Sequence, residues 1–202
     1  MIVSVSPGTE HCNREGGLDF ARAHGTVAAP TAFADPAQGA MLIAFEEETM
    51  AEAKLAPNMP DWQVKHTNLY LASGGKEGHM YKIDVPGRGE ITAPALLLTT
   101  TGRKSGEKFI LPLFYGTEGD SYIIVASKGG APEHPGWYRN ILANPEVDVQ
   151  AGTKKVRARA RTAAGEERDR LWKKALEFWP PYADYALKTE REIPVVVLDP
   201  VH

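Results

Sequence analysis

Between residues 95 and 162 the chain breaks into five short β-favouring runs, ALLLTTT, KFILPLFYG, SYIIVAS, EVDVQAG and TKKVRARART, parted mostly by glycine-, proline- and aspartate-rich turns. Strands this close together pair as antiparallel hairpins, because a parallel pair needs a crossover of a dozen residues or more. TEGD (117–120) is one such hairpin turn, and a bend or bulge is expected at Pro112 within the second run. The last run alternates strictly. Val156, Ala158 and Ala160 face one way, and Lys155, Arg157, Arg159 and Arg161 face the other, so one side of the sheet is apolar and the other solvated. A single helix, GWYRNILAN behind Pro135, interrupts the strands and is ended by Asn144-Pro145. GEERDRLWKKALEFW (165–179) is amphipathic, with Glu166 and Glu167 early and Lys173 and Lys174 late, as the helix dipole favours. PPYADYALKTE reads as a kinked helical segment and REIPVVVLDPV (191–201) as a final strand. The order β-β-β-α-β-β-α-α-β predicts an α+β fold, a small barrel of mostly antiparallel strands with packed helices.

Ahead of Pro94 the pattern is weaker. Asp61 opens a helix over DWQVKHTNLYLAS, with Trp62, His66, Leu69 and Tyr70 on one face, and Gly74-Gly75 stops it. Residues 74–93 read as a long polar connection with a short strand at HMYKID. Residues 40–55 read as a short helix. Residues 1–40 hold no period for more than a few residues and are expected to be a mobile extension. The expected division is therefore an extension over 1–58 and a barrel domain over 59–202. Met41, Met50 and Met59 leave an over-long gene start as an alternative.

Composition removes several function classes. With 23 basic and 26 acidic residues and a net charge of −3, no strong field points to nucleic acid or an anionic membrane surface. The one cysteine, Cys12, permits neither an internal disulfide nor a cysteine metal cluster. No run of about 18 apolar residues is present, and no secretory leader is visible. A cytoplasmic protein is expected. Loose membrane association through residues 40–57 is the alternative, disfavoured at anionic lipid by Glu46, Glu47 and Glu48.

Three stretches carry chemistry. TTTGRKSG (99–106) has two glycines, adjacent cations and hydroxyls. A nucleotide-triphosphate loop needs G-x-x-x-x-G-K-[ST] between a strand and a helix. Here Arg103 separates Gly102 from Lys104 and a strand follows Gly106, so spacing and setting both fail. Either an anion-binding turn, with Thr101, Arg103, Lys104, Ser105 and crowded backbone amides as donors, or a basic surface turn stays open. In ASKGGAPEHPGWYRNILANPEV (126–147), Ser127 and Lys128 end a strand and Gly129-Gly130 allow close backbone approach. A helix N-terminus follows, a good setting for an anion or ring edge. Trp137 with Ile141, or Tyr138 with Leu142, fits core contacts. Ser127 and His134 suggest a hydrolase pair, but no G-x-S-x-G elbow surrounds the serine. In WPPYADY (179–185), Trp179, Tyr182 and Tyr185 recur every three residues, along one side of a helix. That is a core stripe or, given the polar ring ends, a wet-edged pocket for a flat ligand.

Taken in order, LLTTTGRKSG, Pro112-Leu113, ASKGG, P-x-W-Y-x-N at 135–140, ANP at 143–145 and R-x-I-P-V at 191–195 resemble the deazaflavin (coenzyme F420)-dependent nitroreductase family of actinobacteria. The resemblance covers residues 60–200 or so. It implies a split β-barrel related to flavin-binding oxidoreductases, and transfer of a hydride from reduced deazaflavin to a quinone, nitroaromatic or similar activated acceptor. It implies that Thr101, Gly102, Arg103, Lys104 and Ser105 hold the cofactor's anionic tail. Ser127, Lys128, Gly129 and Gly130 would line the deazaflavin, and Pro112, Trp137 and Asn140 would complete its site. Phe114, Trp179, Tyr182 and Tyr185 would form the acceptor wall, with Ser127, Tyr182 and Tyr185 closest to the chemistry. Phe114 stands where some members have tyrosine, Trp179 where others have tyrosine, and Phe109 where some have arginine, with Lys108 beside it as a substitute charge. No metal is implied. An FMN-binding split-barrel reductase and a non-catalytic deazaflavin-binding protein are the competing readings, and the sequence leaves the oligomeric state open.

Overall fold

The computed structural model describes residues 53–201. Nine strands, β1 (Lys54–Leu55), β2 (Met80–Val85), β3 (Gly89–Thr101), β4 (Lys108–Phe114), β5 (Gly116–Glu118), β6 (Ser121–Val125), β7 (Glu146–Ala151), β8 (Lys154–Thr162) and β9 (Val195–Pro200), form one sheet. Helices α1 (Asp61–Ala72), α2 (Gly136–Ala143), α3 (Gly165–Phe178) and α4 (Tyr182–Ala186) pack around it, and a 3-10 turn spans Lys128–Gly130. The strand order is β1-β4-β3-β7-β8-β9-β6-β5, with β2 added to β3. Every ladder is antiparallel except β1 on β4. The sheet curls so that its inner faces share one core, while β4 and β6 share no ladder; that seam makes the fold a split β-barrel.

The run Leu96-Leu97-Leu98 breaks alternation because β3 is covered on both faces. Leu96 and Leu98 enter the main core with Leu111, Val149 and Val196, while Leu97 packs outward with Tyr70 of α1 and Ile110. The alternation of β8 holds, with Ala158 and Ala160 buried and Arg157, Arg159 and Arg161 exposed. Residues 74–93 are more ordered than their polarity suggests. Met80–Val85 pairs with Gly89–Pro94 as a hairpin, and β3 joins β4 and β7 only from Ala95 onward. Pro94 therefore sits inside β3, at the junction of ribbon and barrel. Pro112 causes no bulge. It stays in register opposite Leu97, at a position β1 does not reach, so its missing N–H costs little.

Residues 54–55, expected at the end of a helix, form a strand paired with Phe109 and Ile110, and Ala56 N–H donates to the Ile110 carbonyl at 2.9 Å. The chain thus joins the sheet ahead of residue 59. The expectations for residues 1–52 lie outside the described residues. Among the described residues no helix is long and apolar enough to cross a membrane.

Helix α1 docks through most of the expected face, with Trp62 half-buried, Thr67 added and Leu69 alone turned outward. His66, Thr67 and Tyr70 are buried, while Leu69 is 43% exposed. A hydrogen-bond cluster sets this rotation. The Tyr70 hydroxyl, fully buried, donates toward the Ala95 and Gln150 carbonyls at 3.0 and 3.3 Å and accepts the Gly152 N–H at 2.6 Å. Burial pushes its ionisation up to about 12. Tyr70→Phe strands a buried donor and two carbonyls, and should cost about 2 kcal/mol. A urea midpoint that does not move would show that α1 docks by ring packing alone.

Candidate functional site

A cavity of about 850 Å³ opens where α1, the end of β3, the end of β6, α2 and the α3–α4 corner meet. Its first wall is the turn after β3. The Gly102 N–H donates to the Glu107 carbonyl at 2.7 Å, and Gly106 N–H to the Gly102 carbonyl at 2.8 Å. A side chain at Gly102 would collide with the Phe109 ring, at 2.7 Å, and with Ser105 Oγ at 2.9 Å. Arg103, Lys104 and Ser105 are exposed on this turn and line the cavity. The buried Asn140 holds it from below. Its Oδ1 accepts the Arg103 backbone N–H and guanidinium, both at 3.3 Å, and its Nδ2 donates to Thr100 Oγ1 at 3.2 Å. The nearby Glu107 carboxylate is turned away to Lys54, whose ammonium holds its pKa below the usual value.

The second wall is the Ser127–Gly130 turn. Lys128, Gly129 and Gly130 have φ of +48°, +64° and +85°, three left-handed residues in succession. Ser127, Lys128 and Gly129 line the cavity with Trp137 and Arg139 of α2. No Asp or Glu is among the described lining residues, although Glu133 just outside the lining holds the Lys128 ammonium at 3.1 Å, so the cavity's electropositive end rests chiefly on Arg103, Lys104 and Arg139.

The third wall is aromatic. Phe114, Trp179, Tyr182 and Tyr185 all line the cavity. They are not a row on one helix. Trp179 is the C-cap of α3, with φ −144°, because Pro180-Pro181 breaks the helix, and Tyr182 and Tyr185 belong to α4. Trp179 turns aside to stack on Phe114 at 3.9 Å, while Tyr182 meets Tyr185 and Phe178 edge-on at 6.1 Å. Trp179 and Tyr182 are buried among Val125, Ala175 and Ile193 and also line the cavity.

The fourth wall had no signal in local pattern. Residues 56–60 and Trp62, Gln63 and His66 of α1 line the cavity too. Trp62 stacks on Tyr81 at 5.9 Å and on Phe114 at 6.5 Å. The helix was legible, but its partner was not, because the contact is made across some 50 residues of sequence. Phe109 lines the cavity too, and Lys108 points elsewhere, to Asp148 at 3.4 Å, so it does not restore a charge at that place.

Two expected cofactor residues stand off the cavity. Thr101 gives way to Thr100, which lines it because side chains alternate along β3. Gly130 lies beneath the turn, where a Cβ would come within 2.6 Å of the Tyr185 carbonyl. Ser127 and His134 form no hydrolase pair, since His134 Nδ1 lies 3.2 Å from the Arg191 guanidinium.

His66 has 1% exposure, stacks on Tyr81 at 3.7 Å and holds the Gly78 carbonyl through Nε2 at 2.7 Å. Burial lowers its pKa from the ordinary 6.5. The unfolded chain therefore takes up this proton first as pH falls. The stability His66 contributes is present above its unfolded pKa and lost as pH drops toward the folded one. Urea midpoints should fall between pH 7.5 and 5, and His66→Gln should flatten part of that slope. His134, lowered by burial and by Arg191 and Arg139, should account for a further share. An identical slope in the His66 variant would remove His66 from the account.

The F420H(2)-dependent quinone reductase family model matches residues 62–200. The chain is 40% identical over 136 residues to an F420H(2)-dependent quinone reductase of Mycobacterium tuberculosis, covering 66% of this chain and 86% of that protein. Among solved structures, an F420-H2 dependent reductase (FDR-A) aligns with a TM-score of 0.50 and 51% identity, over 52% of this chain and 94% of that one. Another, described as a domain-swapped dimer, aligns with a TM-score of 0.52 and 44% identity, over 69% and 98%.

Proposed function

The chain belongs to the F420H(2)-dependent quinone reductase family, and on that premise we propose that its cavity binds reduced coenzyme F420 and reduces a quinone there. The observation that carries this is the polarity of the cavity. One end has Arg103, Lys104, Lys128 and Arg139 with no carboxylate among the described lining residues, and the other is walled by Phe114, Trp179, Tyr182 and Tyr185. That donor set fits a flat ring with an anionic tail.

Arg103, Lys104 and Ser105, with the Gly102 turn, hold the phosphate and oligoglutamate tail. Ser127, Lys128 and Gly129 line the deazaflavin, and Pro112, Trp137 and Asn140 support it. When bound, the reduced cofactor supplies a hydride and a proton, so a quinone leaves as its quinol and the cofactor as its oxidised form. The protein's own part is orientation and exclusion of water. The Ser127 hydroxyl donates to the acceptor oxygen where negative charge grows. Burial pushes the Tyr182 phenol far above its ordinary pKa, so it keeps its O–H and acts as a second donor. The stacked Phe114–Trp179 pair forms one side of the acceptor's site. A nitroaromatic, equally flat and electron-poor, is a second acceptor class for the same wall.

A titration with reduced F420, followed by menadione and nitroaromatic acceptors, tests this. Micromolar binding, read by protein fluorescence for reduced F420 and by quenched deazaflavin fluorescence for the oxidised form, no FMN binding and oxidation of the reduced cofactor by menadione are expected. No binding at micromolar protein would overturn the reading, and binding without oxidation by any acceptor would make the protein a deazaflavin carrier. Ser127→Ala and Tyr182→Phe should each slow turnover about tenfold or more.

A further inference from the structure

One cation near the cavity does not line it. Arg191, on the segment leading into β9, extends its guanidinium beneath the Ser127–Gly130 turn. Nε donates to the Ala131 carbonyl at 2.9 Å, and Nη2 to the Ser127 and Ala126 carbonyls at 2.8 and 3.2 Å. Nη1 donates to His134 Nδ1 at 3.2 Å. One planar group thus holds both ends of the turn, from Ala126, the residue after β6, to Ala131, the residue after Gly130. Arg191's own segment is tied to the same place, since the Ala126 N–H donates to the Pro194 carbonyl at 2.9 Å.

The turn needs such a hold. Its internal hydrogen bonds run only from Gly130 N–H to the Ser127 carbonyl, at 3.0 Å, and from Ala131 N–H to the Lys128 carbonyl, at 3.2 Å. Lys128 is not glycine, and its left-handed φ of +48° is one that L side chains rarely adopt unless the surroundings impose it. A guanidinium suits the task, because its donors lie in a fixed plane and several converge on carbonyls that a single ammonium could not satisfy together.

We propose that Arg191 is a positioning residue that clamps the Ala126–Ala131 turn in the shape that presents Ser127, Lys128 and Gly129 to the cavity. The proposal rests on the reading of that cavity as the deazaflavin site. Arg191 touches neither cofactor nor acceptor; it acts through the backbone it holds. Its loss therefore loosens the turn and weakens the cofactor site while leaving the acceptor wall in place.

Hydrogen exchange and cofactor titration on the full chain test this with Arg191→Gln and Arg191→Lys. In Arg191→Gln the amides of residues 127–131 should exchange at least tenfold faster, with protection in β3, β7 and β8 unchanged. Reduced F420 should bind about tenfold more weakly, with little change in the KM for menadione. Arg191→Lys, which keeps the charge but spans fewer carbonyls, should fall between the two, and it carries the test alone if the glutamine variant does not fold. Unchanged exchange at 127–131 would overturn the proposal. So would faster exchange spread evenly over the sheet, or a loosened turn with cofactor affinity intact. The wild-type titration is scored separately. If wild type binds no F420 yet the variants loosen the turn, the clamp stands and the cofactor reading of the cavity falls.

Discussion

Replacing Arg103 and Lys104 together by glutamine should weaken binding of reduced F420 roughly 30- to 100-fold, about one to two charge-assisted hydrogen bonds discounted for exposure. Both side chains stand exposed on the turn after β3, and no carboxylate among the described lining residues competes for them. Turnover at saturating cofactor and the KM for menadione should stay near wild type, because the acceptor wall lies on other elements. Added salt should shrink the gap between wild type and variant. Arg103 carries the larger share, since it is also tied to Asn140 through backbone and side chain. A fluorescence titration supplies the affinities. Normal affinity with lost turnover would place these cations at the reacting atoms instead of at the tail.

Gly130→Ala should destabilise the protein by about 3 kcal/mol or more and abolish cofactor binding at micromolar concentration. The residue has φ +85°, and a Cβ there would lie 2.6 Å from the Tyr185 carbonyl, 2.8 Å from Lys188 Cβ and 3.2 Å from Tyr185 Cα. Two of those atoms are backbone, so relief requires the turn to leave α4. The neighbouring Gly129 has φ +64° but nothing within 4 Å of its would-be Cβ. Gly129→Ala should therefore cost only about 1 kcal/mol, the penalty of the left-handed conformation itself. Urea unfolding of the two variants separates clash from conformation. Equal losses would mean that contact with α4 contributes nothing.

The same glycine pair shows how far the sequence could be read. Two adjacent glycines beside Ser127 marked a backbone that must approach something closely. They did not say that Gly129 faces the cavity while Gly130 faces α4. Thr100 and Thr101 show the same limit, because alternation along β3 is regular but its phase is set by β4 and β7. WPPYADY offered three aromatic rings at helical spacing. Its proline pair was the sign that no single helix would carry them, and Phe114, 65 residues earlier, draws Trp179 aside to stack.

By itself the sequence determined what depends on neighbours in the chain. The alternation of β8, the TEGD hairpin, the Pro135 start of α2, the amphipathic α3 and the glycine-bounded turn at 102–106 follow from side-chain period and turn chemistry within a few residues. The ordered motifs likewise pointed to the family. Tertiary structure alone decided what depends on packing between distant segments. Pairing of β2 with the first half of β3, the wall made by residues 56–66, the diversion of Lys108 to Asp148 and the reach of Arg191 beneath the Ser127 turn are of this kind. Each is a contact made across space, whose energy comes from burial and hydrogen bonds that no local period encodes.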